Sequence, residues 1–122
     1  MLYVAEPSRA PVLTSVKVLN STSVEVQWQP VPEQFTHGII TKYVIFYTAE
    51  KTGEKEVRAP LLKAVVNGLR QSVTYSFQVR AETVKGAGPK SDPKTATTGG
   101  KEIKIIKSLF SYARLVLTGY MS

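Results

Sequence analysis

Between Leu69 and Ala81 the chain reads Leu-Arg-Gln-Ser-Val-Thr-Tyr-Ser-Phe-Gln-Val-Arg-Ala, and from Tyr75 onward it alternates strictly. Tyr75, Phe77, Val79 and Ala81 fall on one side, and Ser76, Gln78 and Arg80 on the other. A period of two filled by aromatic and β-branched residues specifies a strand with one face in a core and one in water. Leu69 closes one apolar run, a polar bend follows, and Tyr75 opens the next. That order predicts a corner pinned by the tyrosine hydroxyl, bonded back to the upstream backbone.

The rest of the chain repeats the signal in shorter pieces. Glu6 to Pro11 reads as a linker, because each proline removes an amide donor and biases its predecessor towards extended backbone. Val12 to Leu19 gives a weakly alternating first strand with Val16 and Val18 on one face, and Asn20-Ser21-Thr22 makes a turn. In Ser23 to Gln29, Val24, Val26 and Trp28 face inward, and Glu25 and Gln27 outward. Pro30-Val31-Pro32 stops that strand, and Glu33 to Gly38 forms a loop. Tyr43, Ile45 and Tyr47 then share a face, while Val44 and Phe46 make the opposite face apolar enough to want a neighbour or a long side chain. Thr52-Gly53 marks a turn, Lys55 to Ala59 a charged edge strand stopped by Pro60, and Leu61 to Val66 a strand ended by Asn67-Gly68. After a Gly/Pro-rich loop from Glu82 to Lys90, Ser91 to Thr98 is a polar last strand held mainly by backbone pairing. Seven short strands with turns every 8–12 residues indicate an all-β sandwich.

Composition narrows the chemistry. The 122 residues contain no cysteine, which removes disulfides, thiolate metal sites and a cysteine nucleophile together. With 43% apolar and 20% charged residues the chain is globular, so its stability must come from the core. The net charge of +7 favours phosphates, sulfated polysaccharides or anionic lipid, or serves solubility alone. Met1-Leu2-Tyr3-Val4-Ala5 is too short, and lacks the basic leader, to read as a signal peptide.

Taken in order, Pro11, Ser23-Val24-x-Val26-x-Trp28, Tyr43-x-Ile45-x-Tyr47, Leu69 followed by Tyr75, Phe77-x-Val79-x-Ala81 and Gly86-x-Gly88-Pro89-x-Ser91 resemble a fibronectin type III domain. The resemblance covers about residues 10 to 98 and implies a seven-stranded immunoglobulin-like β-sandwich over residues 11–98, after a linker at 1–10. Its structural core would hold Trp28, Tyr43, Ile45, Leu69, Tyr75, Phe77 and Val79. One departure is Gln71, where the family often has proline two residues after the corner leucine; the bend should loosen slightly. Members of the family serve mostly as spacers or protein-binding modules, so membership names no ligand. The Arg-Gly-Asp that some members carry before the last strand is absent, as is the Trp-Ser-x-Trp-Ser of cytokine receptors, since Trp28 is the sole tryptophan.

No catalytic constellation emerges. His37 is the only histidine and Asp92 the only aspartate, each in a separate Pro/Gly-bounded loop, which rules against a Ser-His-Asp arrangement. The glutamates are scattered, against both a metal site and paired carboxylates. Gly86-Ala-Gly-Pro-Lys-Ser91 lacks the glycine before lysine and the following helix of a phosphate loop. No cofactor and no nucleic-acid partner is implied. Trp28, Tyr43 and Tyr47 could serve as contact residues but fit better as core. Lys85, Lys90 and Lys94 form either a basic patch for heparin-like sulfates or acidic partners, or charges that keep an edge soluble. Asn20-Ser21-Thr22 is an N-glycosylation sequon on an exposed turn, which mildly favours an extracellular setting.

Composition changes at Gly99-Gly100. From Lys101 to Ser122, Ile103, Ile106, Leu109, Phe110, Ala113, Leu117 and Tyr120 fall near one face of a helix, opposite Lys104, Lys107 and Arg114. This tail, 99–122, is read as helical or disordered. It is an extension without an evolved partner, a partner-binding or self-associating helix or the start of the next unit, or a membrane-surface segment; charges interrupt it too often for a membrane span. The expected function is a non-enzymatic interaction or spacer module of a tandem-domain adhesion, receptor or matrix protein, extracellular or at the cell surface. Its partners would be protein domains, in the first place neighbouring modules of the same chain. The alternatives are an intracellular, cytoplasmic scaffold module, or attachment to glycan or membrane through the basic loop and tail.

Overall fold

The computed structural model describes residues 4–100 and arranges them as two antiparallel sheets. In chain order the strands are β1 (Val12–Asn20), β2 (Ser23–Gln29), β3 (Lys42–Thr48), β4 (Thr52–Arg58), β5 (Lys63–Val66), β6 (Thr74–Thr83), β7 (Gly86–Ala87) and β8 (Lys94–Thr97). A single 3-10 turn, Glu33–Phe35, interrupts the connection from β2 to β3. One sheet runs β1-β2-β5. The other runs β4-β3-β6, with β7 and β8 both paired to the remaining edge of β6. The last strand position of the sandwich is therefore split in two. The amphipathic stretch from Lys101 to Ser122 lies outside the described residues.

The alternating patterns become the core. Val24, Val26 and Trp28 of β2 and Phe77, Val79 and Ala81 of β6 are almost wholly removed from solvent, and Tyr75 is buried beside them. Tyr43, Ile45 and Tyr47 of β3 stand directly opposite Ala81, Val79 and Phe77, so both central strands present one continuous apolar face. The Trp28 ring meets Tyr43 across the sandwich, with centroids 5.3 Å apart at a 57° tilt. Each large side chain so buried contributes about 1.5–3 kcal/mol of transfer free energy. Trp28 Nε1–H is enclosed without a hydrogen-bond acceptor, a local cost accepted for its packing.

β3 departs from simple alternation, because Val44 and Phe46 on its outer face are buried too. Cations cover the Phe46 ring. The Arg80 guanidinium carbon stands 4.9 Å, and Lys90 Nζ 4.0 Å, from the Phe46 ring centroid, so long side chains shield an apolar ring that would otherwise face water.

Leu69 is buried beneath the entry to β6, and the Tyr75 hydroxyl accepts a 2.9 Å hydrogen bond from the Arg70 amide. Thr98 locks the same bend from the other side. Its Oγ1 donates to the Arg70 carbonyl at 2.7 Å and accepts from the Val73 amide at 3.0 Å, while its own amide bonds the Val73 carbonyl. The preceding turn needs Gly68, whose φ of +72° disfavours a residue with a Cβ.

Several element boundaries differ from the sequence expectation: the last strand begins at Lys94 rather than Ser91, and Gly86–Ala87, inside the expected loop, pairs with β6. Gly53 belongs to β4 rather than to a turn, opposite Tyr47, whose ring fills the space a Cβ at residue 53 would need. β5 starts at Lys63 rather than Leu61, after a cis Ala59–Pro60 bond and an exposed Leu61.

Candidate functional site

The segment before β1 is held rather than loose. The Ala5 amide donates to the His37 carbonyl at 2.8 Å and the Ser8 amide to the Phe35 carbonyl at 2.9 Å. Thr83 Oγ1 donates to the Ala5 carbonyl at 2.6 Å, and His37 Nε2 lies 2.9 Å from Ser8 Oγ. Arg9 stacks its guanidinium 4.2 Å above the Phe35 ring, and Pro7 and Pro11 are fully buried. At Gly88 a Cβ would come within 2.8 Å of the Pro7 carbonyl, so glycine is what lets the strap seat. The prolines that mark a linker in sequence here act as stiff apolar pegs, clasped between the β2–β3 loop and the β6–β7 hairpin.

This clasp defines one pole of the sandwich. The β2–β3 loop and the β6–β7 hairpin are joined there by the Thr41 amide to the Glu82 carbonyl at 2.9 Å. The space beside Gly38 is bounded by Val4 and Thr83. Ile39 and Val84, the residues that follow Gly38 and Thr83, are 85% and 79% exposed, the two most exposed large aliphatics among the described residues. Sequence reading missed them, since neither belongs to an alternating strand; the only available signal was an aliphatic residue in a Gly-bounded loop.

The three lysines do not form one cluster. Lys90 and Lys94 line a single depression with Ala10, Pro11, Ser91 and Asp92, although Lys90 also stacks on Phe46. Lys85 sits at the tip of the β6–β7 hairpin, beside the Thr83–Gly86 pair, whereas Lys94 pairs with Phe77. The β6 span from Phe77 to Thr83 puts Lys85 and Lys94 about 20 Å apart at roughly 3.3 Å per residue. Outside this edge, Lys42 bridges Glu56 at 2.7 Å and Glu82 at 3.8 Å, and Arg80 bridges Glu82 at 3.1 Å. The Glu56 hydrogen bond holds the Lys42 ammonium above its ordinary pKa, and burial pushes the Tyr43 phenol up.

The Ser91 and Thr98 hydroxyls are engaged by backbone groups. Ser91 Oγ accepts from the Val79 amide at 2.9 Å, and the Ser91 amide donates to the Val79 carbonyl at 2.8 Å. Ser91 thereby completes the ladder of β6 where its partner strand is broken between β7 and β8. Asn20 is exposed at the two-residue turn joining β1 to β2. Among the described residues there is no group of three or more His, Cys, Asp or Glu able to hold a metal, and no helix long and apolar enough to cross a membrane.

Two antiparallel sheets and an anchored tyrosine at the entry to β6 define an immunoglobulin-like β-sandwich. The sequence profile of the Fibronectin type III domain matches residues 9–97, and the chain belongs to that family. Netrin receptor DCC of Homo sapiens is 42% identical over 94 residues, covering 75% of this chain and 6% of the receptor. Receptor-type tyrosine-protein phosphatase F of Bos taurus is 39% identical over 104 residues, or 77% of this chain and 5% of the phosphatase. Roundabout homolog 2 of Homo sapiens is 34% identical over 105 residues, 84% of this chain and 8% of that protein. Among solved structures, the third fibronectin III domain of human KIAA0343 protein superposes with a TM-score of 0.71 at 28% identity, covering 79% of this chain and 86% of that one. The FN1-FN3 domains of chicken CNTN1 give a TM-score of 0.69 at 26% identity, covering 77% and 32%. The chain thus corresponds to one module, under a tenth of the length of these receptor relatives.

Proposed function

We propose that the chain is a non-enzymatic, extracellular interaction and spacer module of a multidomain surface receptor, and that it contacts a neighbouring module of its parent at the strap pole. The exposure of Ile39 and Val84 beside the clasped strap carries this reading. Any chain entering ahead of residue 4 arrives at that pole, and two aliphatic side chains left in water there gain by being covered. The clasp supports the same view: a strap fixed by hydrogen bonds at both Ala5 and Ser8 transmits orientation, as a free linker does not.

The test is a two-module fragment of the parent with Ile39→Ser and Val84→Ser together. Inter-module contacts seen by NMR are expected to weaken in the variant while the thermal midpoint of this module stays unchanged. Independent tumbling of the two wild-type modules would refute the proposal. A second reading, attachment to a heparin-like glycan, is supported by Lys90 and Lys94 lining one depression. It requires that Lys90→Ala with Lys94→Ala abolish retention on heparin at low salt; equal retention of variant and wild type removes it.

A further inference from the structure

We infer that Asn20 is an N-glycan acceptor whose first sugars cover the exposed end of β1, at the pole opposite the strap. Asn20, Ser21 and Thr22 occupy the β1–β2 hairpin, in which Asn20 pairs with Ser23 across a two-residue loop. The Asn20 side chain is half engaged. Its Oδ1 accepts from the Thr22 amide at 2.9 Å and lies 3.2 Å from Thr22 Oγ1. Both bonds fall on the oxygen, so the carboxamide is fixed in orientation with its nitrogen, the atom that carries a glycan, left to solvent at an exposed turn. A glycan attached to that nitrogen leaves both bonds to Oδ1 in place.

Neighbouring residues supply the second observation. Val18 is 38% and Leu19 44% exposed, and a register shift between Val18 and Asn20 leaves Leu19 without a cross-strand partner. β1 is an outer strand of its sheet, and an edge that ends in bare aliphatic residues invites pairing with another chain. A bulky, strongly hydrated substituent on the next residue blocks that approach while its sugar rings lie over the aliphatic groups. Gly99 also lies near Ser21, where a Cβ would stand 3.8 Å from the Ser21 Cα. The glycan would therefore flank Gly99, near the end of the described residues.

The chemistry is a transfer from a polyisoprenyl-pyrophosphate oligosaccharide in the secretory pathway. Nδ2 of Asn20 forms a bond to C1 of the first N-acetylglucosamine and loses one proton. The C1–O bond to pyrophosphate breaks, and the lipid pyrophosphate leaves with the electron pair. Occupancy in the parent rests on the extracellular reading above, but the site itself does not.

The experiment separates the two. The full chain, placed behind a signal sequence, is secreted from eukaryotic cells and its mass measured before and after peptide N-glycosidase, which converts a glycosylated asparagine to aspartate. Wild type and Thr22→Ser should carry glycan at residue 20. Thr22→Ala should be unmodified yet melt at nearly the same temperature, since it loses only the surface hydroxyl contact. A secreted, folded wild type with unmodified Asn20 overturns the inference. Hydroxyl-radical labelling of Leu19 should be several-fold lower in the glycosylated protein than in the enzymatically trimmed one, and equal labelling overturns the covering role. A parent found only in cytosol, with the site competent in this assay, would defeat the extracellular reading and leave the acceptor chemistry standing.

Discussion

Thr98→Val is the most discriminating single change, because it preserves shape and removes only the hydroxyl. Thr98 is fully buried, and its Oγ1 is at once donor to the Arg70 carbonyl and acceptor from the Val73 amide. Valine leaves both backbone groups unpaired. A buried group stripped of its partner costs about 1–3 kcal/mol. Arg70 is an exposed residue, so water can reach its carbonyl and the low end applies there; the half-buried Val73 amide bears more of the loss. Against this, the new methyl group gains about 0.8 kcal/mol of burial. The net expectation is a loss of about 2 kcal/mol, a substantial part of the roughly 5–15 kcal/mol that holds a domain of this size. Urea unfolding followed by fluorescence of Trp28, the sole and buried tryptophan, reads this directly. With a slope of about 1–2 kcal/mol per molar, the midpoint should fall by about 1–2 M with the slope unchanged. A midpoint equal to wild type, or higher, would refute the assignment of Thr98 as the lock of the bend. Tyr75→Phe gives an internal check. It frees the Arg70 amide alone, at about 1 kcal/mol, and because both side chains act on Arg70 the double variant should lose less than the two singles combined.

Three further outcomes are expected. Gly88→Ala forces the Pro7 carbonyl away, so hydrogen exchange at the Ala5 and Ser8 amides should accelerate while exchange within β6 stays slow; unchanged exchange at both would mean that the strap is not held by this contact. Gly53→Ala collides with the Tyr47 ring and should cost about 1–3 kcal/mol, read by thermal unfolding, with no cost if the ring can swing aside freely. Stability should be level below the ordinary tyrosine value of 10.0 and fall as pH rises beyond it. The folded state holds the protons of Tyr43, through burial, and of Lys42, through Glu56, more tightly than the unfolded chain does. The unfolded chain therefore releases protons first, and a urea midpoint that rises between about pH 9 and about pH 11 would contradict that sign.

The strands were legible because a half-buried strand writes its geometry in a period of two. Val24, Val26, Trp28 and the Tyr75–Ala81 series state which face is inside without any knowledge of the partner strand. What stayed hidden is what alternation does not encode. Ser91 and Thr98 look like ordinary polar residues of a weak edge strand; only the break between β7 and β8 reveals that the Ser91 hydroxyl replaces a missing ladder bond, and only the bend before β6 reveals that the Thr98 hydroxyl ties Arg70 to Val73. The linker reading of residues 6–11 followed from proline chemistry that holds for an isolated peptide. The clasp against Phe35, His37, Thr83 and Gly88 depends on loops far away in sequence. Lys85 stands apart from Lys90 and Lys94 for a related reason, since the tip of a hairpin lies far along its strands from the residues that pair near its base.

The two sheets and the two poles differ in how much apolar surface they offer a partner. Val44 and Phe46 make the outer face of the β4-β3-β6 sheet the most apolar candidate by sequence, yet both are buried. Arg80 and Lys90 cover the Phe46 ring, and Arg80 is held in turn by Glu82, which also faces Lys42. A partner binding there would have to displace cations already satisfied by the ring and by carboxylates, recovering little for what it breaks. At the strap pole no such cover exists. Ile39 and Val84 are bare on a backbone already fixed by the Thr41–Glu82 bond and the strap, so burying them gains apolar contact at little ordering cost. At the opposite pole, Val18 and Leu19 are bare as well, but the sequon beside them offers a hydrated cover instead of a protein one. As proposed, one pole is joined and the other kept clear, while the Phe46 ring on the sheet face between them is covered by the protein's own side chains.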